Sequence, residues 1–220
     1  MTSENSIIKR RHFLKTAASF STGISGMLLL PSATFSNPYF HEPSLSVIGP
    51  QEGYSPQIGT LVSMMAWCRH AVVTAVKGMT VEQLDYLLDN KANTVGALLF
   101  HLAATDAFYH EHTFKGIGWG AWDASVEKKF GTAMELGEPA RQTIKGNNLD
   151  FYLGLLNETR ENTLAEFRKR DDQWLMSIDK TWFWGPTNNY CKWFHVCEHE
   201  SHHQGQIALL KSRIPGMKTS

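Results

Sequence analysis

The chain has 220 residues, of which 42% are hydrophobic, 11% aromatic and 19% charged, with 21 basic and 21 acidic side chains. This composition excludes a disordered or wholly membrane-embedded polypeptide and leaves room for one domain with a proper core. Four of the basic groups but only one acidic group precede residue 36, leaving 17 basic against 20 acidic groups, and such a balance argues against nucleic-acid binding, which needs clustered cations.

Residues 9–30 read KRRHFLKTAASFSTGISGMLLL, a basic head followed by small and apolar residues and then Pro31. That is the layout of a leader. Within it, RRHFLK at 10–15 resembles the twin-arginine export signal, with Lys9 where Ser or Thr is usual. The apolar run falls short of the roughly 20 residues a bilayer needs. Residues 1–35 are therefore expected to be a signal segment and 36–55 a linker. The mature protein is expected to be periplasmic, or membrane-anchored if the leader is retained. The export machinery is then one partner and a small-molecule substrate another, with a homodimer allowed. Cys68, Cys191 and Cys197 permit at most one intrachain disulfide, and 191 cannot pair with 197 on one helix. Free buried thiols are expected.

Residues 57–77 carry apolar positions at helical spacing and stop at Gly78. Thr80 with Gln83 forms a capping-box pattern that opens a short second piece. A long helix begins near Asn93 and runs to the turn signals KGIGWG at 115–120. Residues 116–147, rich in glycine, read as a long irregular excursion with one short helix at 124–135, placed to cover a site. An amphipathic helix follows at 149–170, and the last helix runs from about Asn188 to Arg213, before Pro215 and Gly216. No alternating pattern argues for a sheet. The expected fold is all-α, a four-helix bundle over residues 56–215 with a tail at 216–220, and bundles of this kind build their sites from facing helices.

The last helix contains HVCEHESHHQGQ at 195–206. At about 100° and 1.5 Å per residue, His199 lies one turn from both His195 and His203, while His195 and His203 are about 12 Å apart along the axis. Either i, i+4 pair could share a metal, but the ends of the row cannot reach one ion. Gln206 falls between His199 and His203 in angle and is placed to hydrogen-bond a ligand imidazole. Glu198 and Glu200 lie to either side, as supporting or surface groups, and Gly205 removes a side chain where a neighbouring helix could approach. A further ligand must come from elsewhere, and His101 sits in the apolar stripe of the earlier helix. His110 and His112, near that helix's end, read as solvent or loop contacts.

Two segments, NTVGALLFHLAATDAFY and HVCEHESHHQGQIALLKSRIPG, resemble the signatures of the DinB-like superfamily, including its YfiT and DUF664 groups. The likeness spans about residues 57–214. It implies a four-helix bundle with a metal held by three histidines: His101, behind the opening Asn93-Thr94-Val95-Gly96, and His199 with His203, in the segment that continues through Gly205, Gln206 and Ile207. His195 then becomes a neighbour one turn away, a candidate catalytic acid or base or a pocket-lining group. Three neutral ligands leave an open coordination position, and a metal of that kind lowers the pKa of bound water toward about 7. Zinc is the first choice of divalent ion, with nickel, manganese or iron as alternatives. Hydrolysis through that water ranks first. Thiol-dependent transfer or isomerisation, as the resemblance implies for some relatives, ranks second, and a noncatalytic site closed by a fourth ligand such as Glu200 third. The segments GIGWGAW and TWFWGP are expected to form a lid over the core or the rim of the pocket.

Overall fold

The computed structural model describes residues 45–217. The proposed leader and the first nine residues of the linker lie outside that range. Ser55 is extended and Pro56 occupies the first turn of α1 (Pro56–Val76), where its missing N–H costs nothing. The start of α1 is capped from a distance: Asp172 accepts hydrogen bonds from the backbone N–H groups of Gln57 and Ile58 and from the Ser55 hydroxyl. Gly78, at φ +74°, follows the end of the helix as expected.

The Thr80–Gln83 capping box is formed and starts α2 (Val81–Leu84). α3 (Val95–Lys115) is capped by Thr94, whose hydroxyl accepts from Ala97 N–H. Asn93, one residue earlier, instead accepts from the backbone N–H of Gly137, tying the entry of α3 to the following excursion. That excursion is more helical than expected. It contains α4 (Ala124–Glu135), at the expected boundaries, and also α5 (Gly137–Thr143). Leu136 joins the two with φ +58°.

α6 (Leu149–Phe167) is capped by Asn148 and α8 (Asn189–Arg213) by Asn188. Between them lie α7 (Asp172–Met176) and two strands of two residues each, β1 (Ile178–Asp179) and β2 (Thr187–Asn188), paired antiparallel. So short a ladder leaves no sequence period to read. The four long helices pack in the cyclic order α1, α8, α3, α6, with α4 laid against α3. The protein is an all-α four-helix bundle, and among the described residues no helix is long and apolar enough to cross a membrane.

One apolar cluster gathers Leu98, Leu102 and Phe108 of α3 with Tyr152 and Leu156 of α6 and Ile207 of α8. Another gathers Ile58, Leu61, Phe167, Leu175, Trp182 and Trp193. Each long helix also contributes a charged side chain to one ion-pair cluster between the helices: Arg69, Asp106, Arg160 and Glu200. Arg69 and Arg160 both donate to Asp106 and to Glu200 Oε1. Their remaining donors reach the carbonyls of Leu156 and Met65. Buried charges are tolerated when paired and hydrogen-bonded in this way. Glu200 is thus a structural anion between two guanidinium groups, which corrects the expectation that it lies at the surface or closes a metal site.

Candidate metal centre

His101 projects from α3 and is buried, as its apolar stripe predicts. Its Nδ1 donates to the carbonyl oxygen of Ala133 in α4, 2.9 Å away, so the excursion covers the site and orients a ligand. His203 Nδ1 lies 2.9 Å from Gln206 Oε1, which accepts its proton. With the proton of each ring fixed on Nδ1, the Nε2 atoms of His101 and His203 carry lone pairs. Both point at His199 Nε2, at 2.8 Å and 3.1 Å.

Three imidazole nitrogens converge here and can share at most one proton among them. All the ligand atoms lie within 4.8 Å of one another, and a cation bonded at about 2.1 Å would hold its nitrogens roughly 3.0–3.4 Å apart. The residues present therefore fit a divalent metal ion. Burial lowers the pKa of each ring: His199 falls to about 3 and His203 to about 4, with His101 shifted in the same direction. Desolvation is the largest cause for all three, and the neighbouring imidazoles add to it for His199 and His203. Neutral rings are the form a metal requires.

His195 stays out of the cluster. Its ring is 5.4 Å from that of His199 and packs against Trp184 at 4.9 Å and Tyr109 at 5.9 Å. Glu198, expected to support the ligands, is an exposed side chain whose carboxylate lies 3.6 Å from His195 Nδ1. His202 is exposed beside His203. Gly205 is exposed too, and a Cβ there would meet nothing within 4 Å. The expected close helix approach at Gly205 is absent, because that face of α8 is turned to solvent.

The two aromatic segments meet. Trp119 contacts Trp122, Trp182 and Phe183. The rings of His199, His195, Tyr109 and Trp119 form a continuous run of contacts. A cavity of about 510 Å³ opens between the segments, lined by His112, Gly118, Trp119, Asp179, Trp182 and Phe183. Its walls are held by Lys192, which is buried, a role the sequence reading missed. Lys192 Nζ donates to Asp179 Oδ2 and to His112 Nε2, each at 2.8 Å, while His112 Nδ1 donates to the carbonyl of Ile117. The hydrogen bond from Lys192 holds the Asp179 carboxyl well below the usual carboxylate range. The expected loop contact of His112 is present and joins both segments to α8.

Residues 60–216 match the family model described as Mycothiol-S-transferase. No curated protein matches the chain. A crystal structure described as the conserved protein of locus from Enterococcus faecalis resembles it with a TM-score of 0.51 and 13% identity, over 71% of this chain and 96% of that one. At that identity the likeness speaks for the fold alone.

Proposed function

The chain belongs to the mycothiol-S-transferase family, a DinB-like family, and from that premise we propose that it is a metal-dependent transferase acting on a low-molecular-weight thiol. The observation that carries the proposal is the convergence of the Nε2 atoms of His101, His199 and His203, with the Nδ1 protons of His101 and His203 held away by Ala133 and Gln206. The sequence alone ranked hydrolysis above thiol transfer. The family match favours the reverse order.

His101, His199 and His203 would hold the metal ion, zinc as first choice. When bound, a divalent ion supplies Lewis-acid chemistry that lowers the pKa of a thiol or water in its open position. Gln206 and the Ala133 carbonyl keep two of the rings in the ligating tautomer. His195, one turn before His199 and partly exposed, would be the group to take the proton that the thiol gives up. Its own orientation comes from Trp184 and Tyr109. The cavity beside Trp119, Trp182 and Phe183 would take the apolar body of the acceptor and exclude water from it.

The assay pairs an electrophilic acceptor, 1-chloro-2,4-dinitrobenzene, with mycothiol, cysteine and glutathione in turn. Conjugation that requires both added metal and one of these thiols supports the proposal. Loss of that rate in His199→Ala, with the bundle still folded, ties it to the site. Ester or amide hydrolysis that proceeds equally without any thiol would favour the hydrolytic reading instead. We further propose that residues 1–35 direct export of a domain spanning 56–215. Changing Arg10 and Arg11 to Lys should then trap precursor in the cytoplasm, and unchanged export contradicts this part.

A further inference from the structure

The cavity between the two aromatic segments holds no nucleophile of its own. Among the described residues none of the three cysteines lines it; Cys68 and Cys197 are free thiols, and Cys191 is exposed on α8, where a buried thiol was expected. The charged groups at the cavity answer one another. Asp179 accepts from Lys192 through Oδ2, and from the backbone N–H and hydroxyl of Thr181 through Oδ1. His112 spends both ring nitrogens, on Lys192 and on the carbonyl of Ile117. Lys192 Nζ also sits 4.5 Å from the centre of the Trp182 ring.

One buried donor of the wall is left over. Trp182 lines the cavity and is only 4% exposed, and its indole Nε1 is buried with no acceptor among the described residues. A buried N–H without a partner is costly, and native structures leave few of them. Trp119 and Phe183 continue the apolar wall, with ring centres 5.1 Å and 4.4 Å from that of Trp182. Both are exposed, Phe183 by 61%, so they can pack on a ring system that enters from solvent.

We propose that this cavity binds a neutral, planar compound bearing a hydrogen-bond acceptor oxygen, whose rings pack against Trp119 and Phe183 and whose oxygen accepts from Trp182 Nε1–H. The volume of about 510 Å³ suits a ligand of two fused rings. A charged ligand would lose its hydration on entry and meet no unpaired counter-ion, because Asp179 and Lys192 already hold each other. An apolar ring of the same shape would leave Nε1 unpaired, so the site gains selectivity from the donor it leaves open. Naming this compound the acceptor of the transfer rests on the transferase reading above; its binding does not, since neither thiol nor metal takes part.

The test is equilibrium dialysis of the full chain, without thiol or added metal, against coumarin, coumarin-3-carboxylate and naphthalene. Coumarin should bind at one site and more tightly than its carboxylate. Trp182→Phe, verified as folded by circular dichroism, should lower the affinity for coumarin by about tenfold and leave that for naphthalene unchanged. Phe183→Ala should weaken both. In the parent chain the Trp182 indole N–H resonance should move downfield with coumarin and not with naphthalene, a readout that does not depend on any variant. Absence of coumarin binding, tighter binding of the carboxylate, equal losses of both ligands in Trp182→Phe, or an unmoved Trp182 resonance would each overturn the proposal. Because binding is read without turnover, failure here is distinct from failure of the proposed transferase activity.

Discussion

His199 and His203 stay neutral in the metal-free protein at pH values where an exposed histidine takes a proton, because burial and neighbouring rings depress their pKa to about 3 and about 4 from 6.5. The unfolded chain binds those protons more readily, so the stabilising contribution of the neutral rings is fully present above about pH 6.5 and is lost as pH falls through 4 to 3. The melting temperature of the metal-free protein should therefore fall between pH 7 and pH 4. In His199→Gln this decline should be shallower, and equal slopes would contradict the assignment. Gln206→Leu removes the acceptor that fixes the His203 tautomer and should weaken metal binding by about tenfold in a chelator competition. Periodicity made part of the histidine set legible, since it offered a histidine inside an apolar stripe and two overlapping i, i+4 pairs, and the resemblance to the DinB-like superfamily chose His199 with His203 over His195 with His199. The pairing of Arg69, Asp106, Arg160 and Glu200 was not, since each partner lies on a different helix and no spacing within one helix records it. Glu198 illustrates the same limit: angle around the axis placed it near the ligands, but only packing decides which face of α8 meets solvent.

At the scale of elements, most boundaries followed from capping chemistry. The box at Thr80 and Gln83, the glycine after α1 and the span of α4 agree with the sequence reading. The start of α3 shifted by one residue because the Asn93 side chain is drawn to Gly137 and leaves the cap to Thr94. α5 and the two-residue strands were hidden because pieces so short have no period. Two glycines on the site helices should respond in opposite directions to alanine. A Cβ at Gly96 would come within 2.7 Å of the Tyr152 hydroxyl, so Gly96→Ala should destabilise the protein by about 1–3 kcal/mol through overpacking of α3 on α6. Gly205→Ala meets no atom and should stabilise α8 by about 0.5–1 kcal/mol. Urea unfolding measures both, and destabilisation by the second change would mean that the exposed face of α8 carries a contact of its own.

Across the whole molecule, one charged residue from each long helix meets in the interior while three histidines from two of those helices meet at the candidate metal centre. The charged layer fixes the bundle, and the histidines use it as a frame. Removing one buried partner leaves uncompensated charge, so Asp106→Ala should cost about 3–5 kcal/mol of stability. The variant that remains folded should still take up metal, because the hydrogen bonds of Asp106 run to Arg69 and Arg160 and not to the three rings.

The arrangement itself is tested most directly by metal analysis of protein purified without an affinity tag. The parent chain should carry one equivalent of a divalent transition metal, as should His195→Ala, while His203→Ala should carry little. A full equivalent retained by His203→Ala, or a parent chain that takes up none when supplied with zinc, nickel, manganese or iron, would contradict the three-histidine site on which the account rests.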